Sequence, residues 1–128
     1  MEQHDQEPVK DIDEEHPIAV AWRHTLQEIV HALVEGDYGL SRGIASVAPV
    51  DEATAEQIRG YVSQYGETLI ELPDETWSTS VAQWMGTHWD ALVDLWTRQS
   101  GRSDMILAFS AFETREGFRF EIDSVHVP

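Results

Sequence analysis

The most regular hydrophobic pattern in the chain has the period of an α-helix and runs from Pro17 to Glu35. Pro17 suits the first position of a helix, where its missing N–H costs nothing, and Gly36 suits the left-handed residue after the end. At about 100° per residue the apolar side chains fall on one stripe, which consists of Ile18, Trp22, Leu26, Ile29 and Leu33. The pattern therefore predicts a first helix that buries one face.

A second helix is predicted between Asp51 and Gly66, after an irregular, glycine-rich segment at 37–50. Asp51 is a favourable N-cap, and Gly66 is a favourable C-terminal stop. The apolar side chains again share one face, which consists of Ala55, Ile58, Tyr61, Val62 and Tyr65. This helix is expected to pack on the same core as the first.

The rest of the chain is rich in β-branched and aromatic residues and predicts strands. Alternation is clearest near the end, where Phe118, Phe120 and Ile122 point to one face of a strand. A helical stripe from Trp84 to Trp96 is the alternative for the first part, but the composition favours strands. The predicted strands are 68–72, 91–97, 105–112 and 118–127. We therefore expect an α+β fold, with two N-terminal helices packed on a three- to four-stranded antiparallel sheet formed mainly by the C-terminal half.

The first 16 residues differ in composition from the rest of the chain. Residues 1–16 contain seven acidic residues, one lysine and few aliphatic side chains. Such a segment buries too little apolar surface to offset the entropy of ordering it, so the sequence predicts a disordered acidic arm. Residues 17–128 then form a single α+β domain, which is long enough for one hydrophobic core.

The charge balance of the 128 residues narrows the classes of function. Eight Lys and Arg face 24 Asp and Glu, which gives a formal net charge of −16. Phosphate binding needs cations on one face, so this balance argues against nucleic-acid binding and against adsorption to anionic membranes. Cysteine is absent, which excludes disulfides and thiolate metal sites. No apolar run has the length of a membrane span and the N-terminus is acidic, so a cytoplasmic protein is expected.

Two of the five tryptophans are predicted to be exposed. Trp84 and Trp89 flank residues 85–88, which have the composition of a loop, and His88 and Asp90 stand beside them. Exposed tryptophans are frequent anchors of protein interfaces. These four residues are therefore the predicted partner-binding site. The other three tryptophans are predicted to lie in the core: Trp22, Trp77 and Trp96.

His24, Glu28 and His31 share one face of the first predicted helix, in an arrangement that a metal ion could use. This face lies opposite the apolar stripe and no further ligand is identifiable, so a solvated surface is the better interpretation. Nucleophile elbows, phosphate loops and His-Glu-x-x-His motifs are absent from the sequence. The sequence thus predicts no metal, no cofactor and no catalytic residue.

Several short motifs resemble a family of small bacterial proteins that share a domain of unknown function. The motifs are GDY (36–38), LPDETW (72–77), LVDLWT (92–97), GRSD (101–104) and the final VP. The resemblance covers residues 17–128 and implies an α+β domain with strands after Trp89. It implies no catalytic or binding residue, and it suggests an immunity or accessory role, as is suspected for some small acidic bacterial proteins.

Two main hypotheses about function follow, and a third stands beside them. The first is a non-enzymatic acidic protein-interaction module, for example an immunity or accessory protein, that binds a basic partner. The alternative is a small-molecule-binding or hydrolytic domain with a tryptophan-lined pocket between sheet and helices. That pocket would be lined by Tyr65, Trp96 and Trp89, with Asp94 or His88 as the acid–base group. A homodimer formed through apolar surface is the third interpretation.

Overall fold

The computed structural model describes residues 7–128. In that part of the chain one antiparallel sheet has five strands in sequence order: β1 (His16–Pro17), β2 (Val81–Trp84), β3 (Trp89–Thr97), β4 (Gly101–Thr114) and β5 (Gly117–His126). Two helices, α1 (Val20–Val34) and α2 (Glu52–Tyr65), precede β2, and a 3₁₀ helix covers Asp74–Ser78. The predicted α+β class is confirmed, with five strands rather than three or four.

Helix α1 buries the predicted stripe but begins later than predicted. Trp22, Leu26 and Ile29 are buried, and the chain leaves the helix at Gly36 with the expected left-handed φ of 82°. Pro17 does not open the helix, because it lies in β1 opposite Val81. The short pairing of β1 with β2 places the entry to α1 at the edge of the sheet.

Helix α2 covers the outer edge of β5 more than it covers the face of the sheet. Asp51 caps it by accepting a hydrogen bond from the Thr54 N–H at 2.7 Å. The Gln57 side chain donates to the Val125 carbonyl at 2.7 Å, and the Tyr61 hydroxyl accepts from the Val127 N–H at 3.1 Å. Side-chain groups of α2 thus satisfy edge groups that a further strand would otherwise bind.

The segment 68–72 forms a single bridge instead of the predicted strand. Leu69 pairs with Thr97, and the Ile70 N–H donates to the Trp96 carbonyl at 3.0 Å. The chain then turns at Pro73 into the 3₁₀ helix. The predicted strands that follow Trp89 are confirmed, and the turn between β3 and β4 ends at Gly101, where φ is 72°.

An aromatic cluster joins α1 to the inner face of the sheet. Trp22 is its centre, with its ring centroid 5.3 Å from Trp89, 5.5 Å from Phe118 and 5.7 Å from Phe120, in edge-to-face geometry. Trp84 extends the cluster, because its ring lies 4.6 Å from that of Trp89. Such pairs each contribute about 0.5–1.5 kcal/mol beyond the burial of their area.

Residues 7–16, which are part of the segment 1–16 predicted to be a disordered acidic arm, make defined contacts with the domain; residues 1–6 lie outside the described residues. The Val9 carbonyl accepts a hydrogen bond from Trp89 Nε1 at 3.0 Å, and the Ile12 carbonyl accepts one from Gln83 Nε2 at 3.0 Å. Over the described residues, neither helix has the length and apolar character that crossing a membrane requires.

The central position of Trp22 predicts that this residue contributes strongly to the stability of the fold. We expect Trp22→Ala to lower the free energy of unfolding by about 3–5 kcal/mol, because the surrounding rings cannot close the cavity. Val20→Ala, at an exposed position of the same helix, is expected to change it by less than about 0.5 kcal/mol. Urea denaturation of both variants measures the difference. Equal losses in the two variants would contradict a central role for Trp22.

Candidate functional site

The outer face of the sheet carries an acidic surface with an apolar centre. Along β3 the buried residues alternate with Asp90, Leu92 and Asp94, which point away from the helices. Leu92 is 38% exposed although it lies on a central strand of the sheet. Glu121 of β5 lies opposite Ser110 of β4, whose other neighbour is Asp90. Carboxylates from two strands thus converge on one serine.

A register shift in β5 adds a third carboxylate to this group. Ile122 pairs with Phe109 and Ser124 pairs with Ala108, which leaves Asp123 as the unpaired residue of a bulge. Asp123 accepts a hydrogen bond from the Ser110 hydroxyl at 2.9 Å, so its side chain lies on the outer face. We call Asp90, Glu121 and Asp123 the acidic triad.

The three carboxylates of the acidic triad lie close enough to repel one another. Loss of water around Asp123 raises the pKa of its carboxyl, and the charges of Asp90 and Glu121 raise this pKa further. The hydrogen bond from Ser110 acts in the opposite direction and lowers the pKa. A cation bound here would relieve the repulsion, because it stabilises the charged form of each carboxylate.

The aromatic and cationic groups next to the triad lie at the end of the β2–β3 hairpin. His88 Nε2 is 3.1 Å from Asp90 Oδ1, and the His88 ring stacks on Phe112 with centroids 5.3 Å apart. The Arg119 guanidinium lies 4.7 Å from the Phe112 centroid and pairs with Glu121 at 3.0 Å. Two of the predicted site residues, His88 and Asp90, are therefore in contact.

Trp84 and Trp89 lie on the opposite face of the hairpin from Asp90. The loop predicted at 85–88 is confirmed, but the prediction that Trp89 is exposed is wrong, since only 1% of it is accessible. Trp84 and Trp89 are direct partners across the hairpin, so both rings point to the helix side, where Trp22 packs against Trp89. Trp84 is partly buried.

Trp89 and Trp96, which the alternative prediction placed in one tryptophan-lined pocket, are not neighbours in the structure. Trp89 and Trp96 stand at opposite ends of β3, roughly 23 Å apart at the rise of a strand. The Tyr65 hydroxyl accepts a hydrogen bond from the Asp104 N–H at 3.1 Å, and the Asp94 carboxylate accepts one from the Thr79 hydroxyl. Within residues 7–128, no hydrogen bond joins Tyr65, Trp96 and Asp94.

A cleft of about 250 Å³ lies elsewhere, between the polar face of α1 and the loop that follows it. Three of the lining residues share one helix face that is predictable from the sequence. The pocket itself is not predictable, because its opposite wall comes from the irregular segment at 37–50. The lining residues are His24, Gln27, Glu28, His31, Arg42, Gly43 and Ile44.

Ion pairs lie along this cleft, and the pair between Arg42 and Glu35 joins the loop wall to the end of α1. His31 Nδ1 is 2.7 Å from Glu71 Oε2, and His31 Nε2 is 3.2 Å from Glu35 Oε2. The hydrogen bond with Glu71 is the main cause of a raised His31 pKa, and the charges of Glu71 and Glu35 add to it. Arg42 donates to Glu35 at 2.8 Å and to Asp37 at 3.1 Å.

Asp37 fixes the loop that forms the second wall. Its carboxylate accepts hydrogen bonds from the N–H and hydroxyl of Ser41, and these, with further bonds from Arg42, lower the Asp37 pKa to about 2. The raised pKa favours the imidazolium form of His31, which is the form that pairs with Glu71 and Glu35. Across the described residues there is no group of His, Asp and Glu side chains suited to a metal ion.

The His31–Glu71 pair is expected to couple more strongly at low pH. The pKa of His31 in the folded state lies above its ordinary value of 6.5. The stabilisation that the pair provides is therefore complete below pH 6.5 and is lost as the pH rises through the folded-state pKa of His31. Double-mutant cycles with His31→Gln and Glu71→Gln, based on urea denaturation, should give a larger coupling free energy at about pH 5.5 than at about pH 9. A coupling that is unchanged with pH would contradict the ion pair.

The comparisons with known proteins assign the chain to a family but identify no ligand. Residues 30–128 match a family model described as a domain of unknown function, DUF7668. No curated protein and no solved structure matches the chain. The matched range includes the whole acidic triad and the loop wall of the cleft, but of the α1 wall it includes only His31, and it excludes residues 7–16. Because it spans more than three quarters of the sequence, this chain belongs to the DUF7668 family.

Proposed function

We propose that this chain is a non-enzymatic protein-interaction module that binds a basic partner through the outer face of its sheet. The acidic triad is the observation that carries the proposal. Three carboxylates from two strands meet around Ser110, and their mutual repulsion contributes to the raised pKa of Asp123. A lysine or arginine placed by a partner would offset this repulsion.

The composition of the surface around the triad supports an interface. Leu92 supplies exposed apolar area beside Asp90 and Asp94, and the stacked His88–Phe112 pair supplies aromatic area at the hairpin end. Interfaces commonly combine an apolar centre with a charged rim. The net charge of −16 would also speed the approach of a cationic protein by electrostatic steering.

The proposal also includes a cellular location and a more specific role for the protein. We place the protein in the cytoplasm of a bacterium, because the sequence lacks cysteine and its short motifs resemble those of small bacterial proteins. An immunity or accessory role is one form of the interaction, since an acidic face can block the basic surface of a cationic toxin.

A second candidate function is small-molecule binding in the cleft beside α1. The cleft volume of about 250 Å³ and its mixture of His24, Glu28, His31 and Arg42 favour a small polar ligand. A thermal-shift screen of small polar compounds tests this candidate. A hit that loses its effect in Arg42→Gln, while the stability of that variant without ligand stays measurable, would favour the cleft over the sheet face.

The main proposal predicts that neutralising the triad weakens partner binding. We expect the double variant Asp90→Asn and Asp123→Asn to bind the partner at least tenfold more weakly, because two charges of the interface are lost. The partner would be captured from the source cells with the wild-type chain at low salt and identified by mass spectrometry. Affinities of the purified partner for wild type and variant are then compared by titration calorimetry.

The matched control removes two charges elsewhere on the surface. Glu52→Gln and Glu75→Gln together change the net charge equally, at exposed positions of α2 and of the 3₁₀ helix. The control is expected to bind within about twofold of wild type. If control and triad variant lose the same affinity, only overall charge matters and the proposed face is wrong. If no basic protein is retained at roughly 0.5 M salt, where the Debye length is about 4 Å, the proposal fails as a whole.

A further inference from the structure

Residues 9–12 lie against the β2–β3 hairpin and the end of β4, and four groups of the folded domain hold them there. We call these residues the strap, and we call the groups that hold it the strap groove. The strap groove consists of the Trp89 indole N–H, the Trp84 ring, the Glu113 carboxylate and the Gln83 carboxamide.

The contacts of the strap define a pattern along an extended chain. The Val9 carbonyl accepts from Trp89 Nε1 at 3.0 Å, and the Ile12 carbonyl accepts from Gln83 Nε2 at 3.0 Å. Between them, Lys10 Nζ lies 5.1 Å from the Trp84 centroid and donates to Glu113 at 2.8 Å. The groove therefore recognises a cationic side chain flanked by two backbone carbonyls. Two of these four contacts depend on a side chain of the strap, and both are made by Lys10.

The strap fits this groove poorly apart from Lys10. Val9 is 40% exposed and Ile12 is 59% exposed, so the apolar side chains of the strap contribute little burial. Residues 7–16 contain five acidic residues and a single base, and residues 17–128 contain 17 acidic residues against seven bases. Repulsion between segments of like charge opposes closure of the strap. Lys10, the only lysine of the chain, is what offsets it.

We propose that the strap groove is a binding site for an extended basic segment of the partner, which displaces residues 9–12. The site takes a lysine or arginine between Trp84 and Glu113 and two carbonyls on Trp89 and Gln83. A segment with further lysines or arginines gains attraction to the acidic domain where the strap meets repulsion. This inference rests on the proposed function, because it describes a second contact of the same basic partner.

The test uses a peptide as a stand-in for the partner and a variant that releases the strap. The peptide KPVKKIKK keeps the Val-Lys-x-Ile pattern of residues 9–12 and replaces the acidic residues of 7–14 with lysine. Lys10→Glu places a carboxylate beside Glu113, which is expected to open the strap. Lys10→Gln, which only removes the charge, is the milder second variant.

We expect the peptide to bind Lys10→Glu about tenfold more tightly than wild type. In wild type the strap occupies the groove most of the time, and the apparent affinity for the peptide falls in proportion to the fraction of molecules whose groove is open. Lys10→Gln should lie between the two. In ¹⁵N NMR spectra the Trp89 indole N–H should lose its protection from solvent exchange in Lys10→Glu and regain it with peptide. Adding Glu113→Gln to Lys10→Glu should remove most of the gain, whereas adding Glu116→Gln, in the neighbouring turn, should not.

Three results would overturn the inference. One is equal affinity of the peptide for wild type and for both Lys10 variants. Another is binding of a scrambled peptide, KKIKPKVK, with the same affinity and the same indole shifts, which shows attraction to net charge alone. The third is a dimer of the wild-type chain in sedimentation that Lys10→Glu converts to a monomer, which assigns the groove to the strap of a second copy. Partner binding that still depends on Asp90 and Asp123 would leave the proposed function intact in each case.

Discussion

The packing of Trp22 between Trp89 and two phenylalanines of β5 is the contact on which the rest of the structure depends. It fixes α1 against one face of the sheet, and this face takes the buried aromatic side chains of the strands, Trp89, Phe109 and Phe120. The opposite face keeps Asp90, Leu92 and Asp94 at its surface. A one-sided core of this kind leaves the outer face available for polar and charged side chains.

The sequence predicts the elements whose periodicity is strong and misses those that tertiary pairing decides. Helix α1 and strand β5 have clear periods of 3.6 and 2, and both exist as predicted. Residues 68–72 have strand composition but meet only the end of β3 at Leu69. Pro17 has a good helix-start composition, yet its pairing with Val81 takes it into the sheet. In both cases a partner more than 25 residues away decides the outcome, and local patterns carry no information about it.

The candidate site was predicted only in part, for related reasons. The neighbourhood of His88 and Asp90 is visible in the sequence, because both residues stand at a predicted turn. The sequence does not show to which face the Trp89 side chain points, because this follows from the register of a hairpin that pairs Trp89 with Trp84. Asp123 joins the acidic triad through a bulge, and a single extra residue in a ladder leaves no local signal. The cleft likewise needs the polar face of α1 to meet Arg42, Gly43 and Ile44 of the irregular segment, and no local pattern predicts that contact.

The buried position of Trp89 also explains why the strap groove can exchange its occupant at low cost. The indole N–H has its hydrogen-bond acceptor, Val9, in the strap and not in the sheet or in α1. An occupant that brings its own backbone carbonyl restores this hydrogen bond, so exchange leaves no buried donor without a partner. The aromatic cluster stays in place, because Trp22 and Phe118 hold the Trp89 ring from the helix and the sheet. What distinguishes one occupant from another is then mainly the charge around Lys10, in a protein where acidic residues outnumber basic ones three to one.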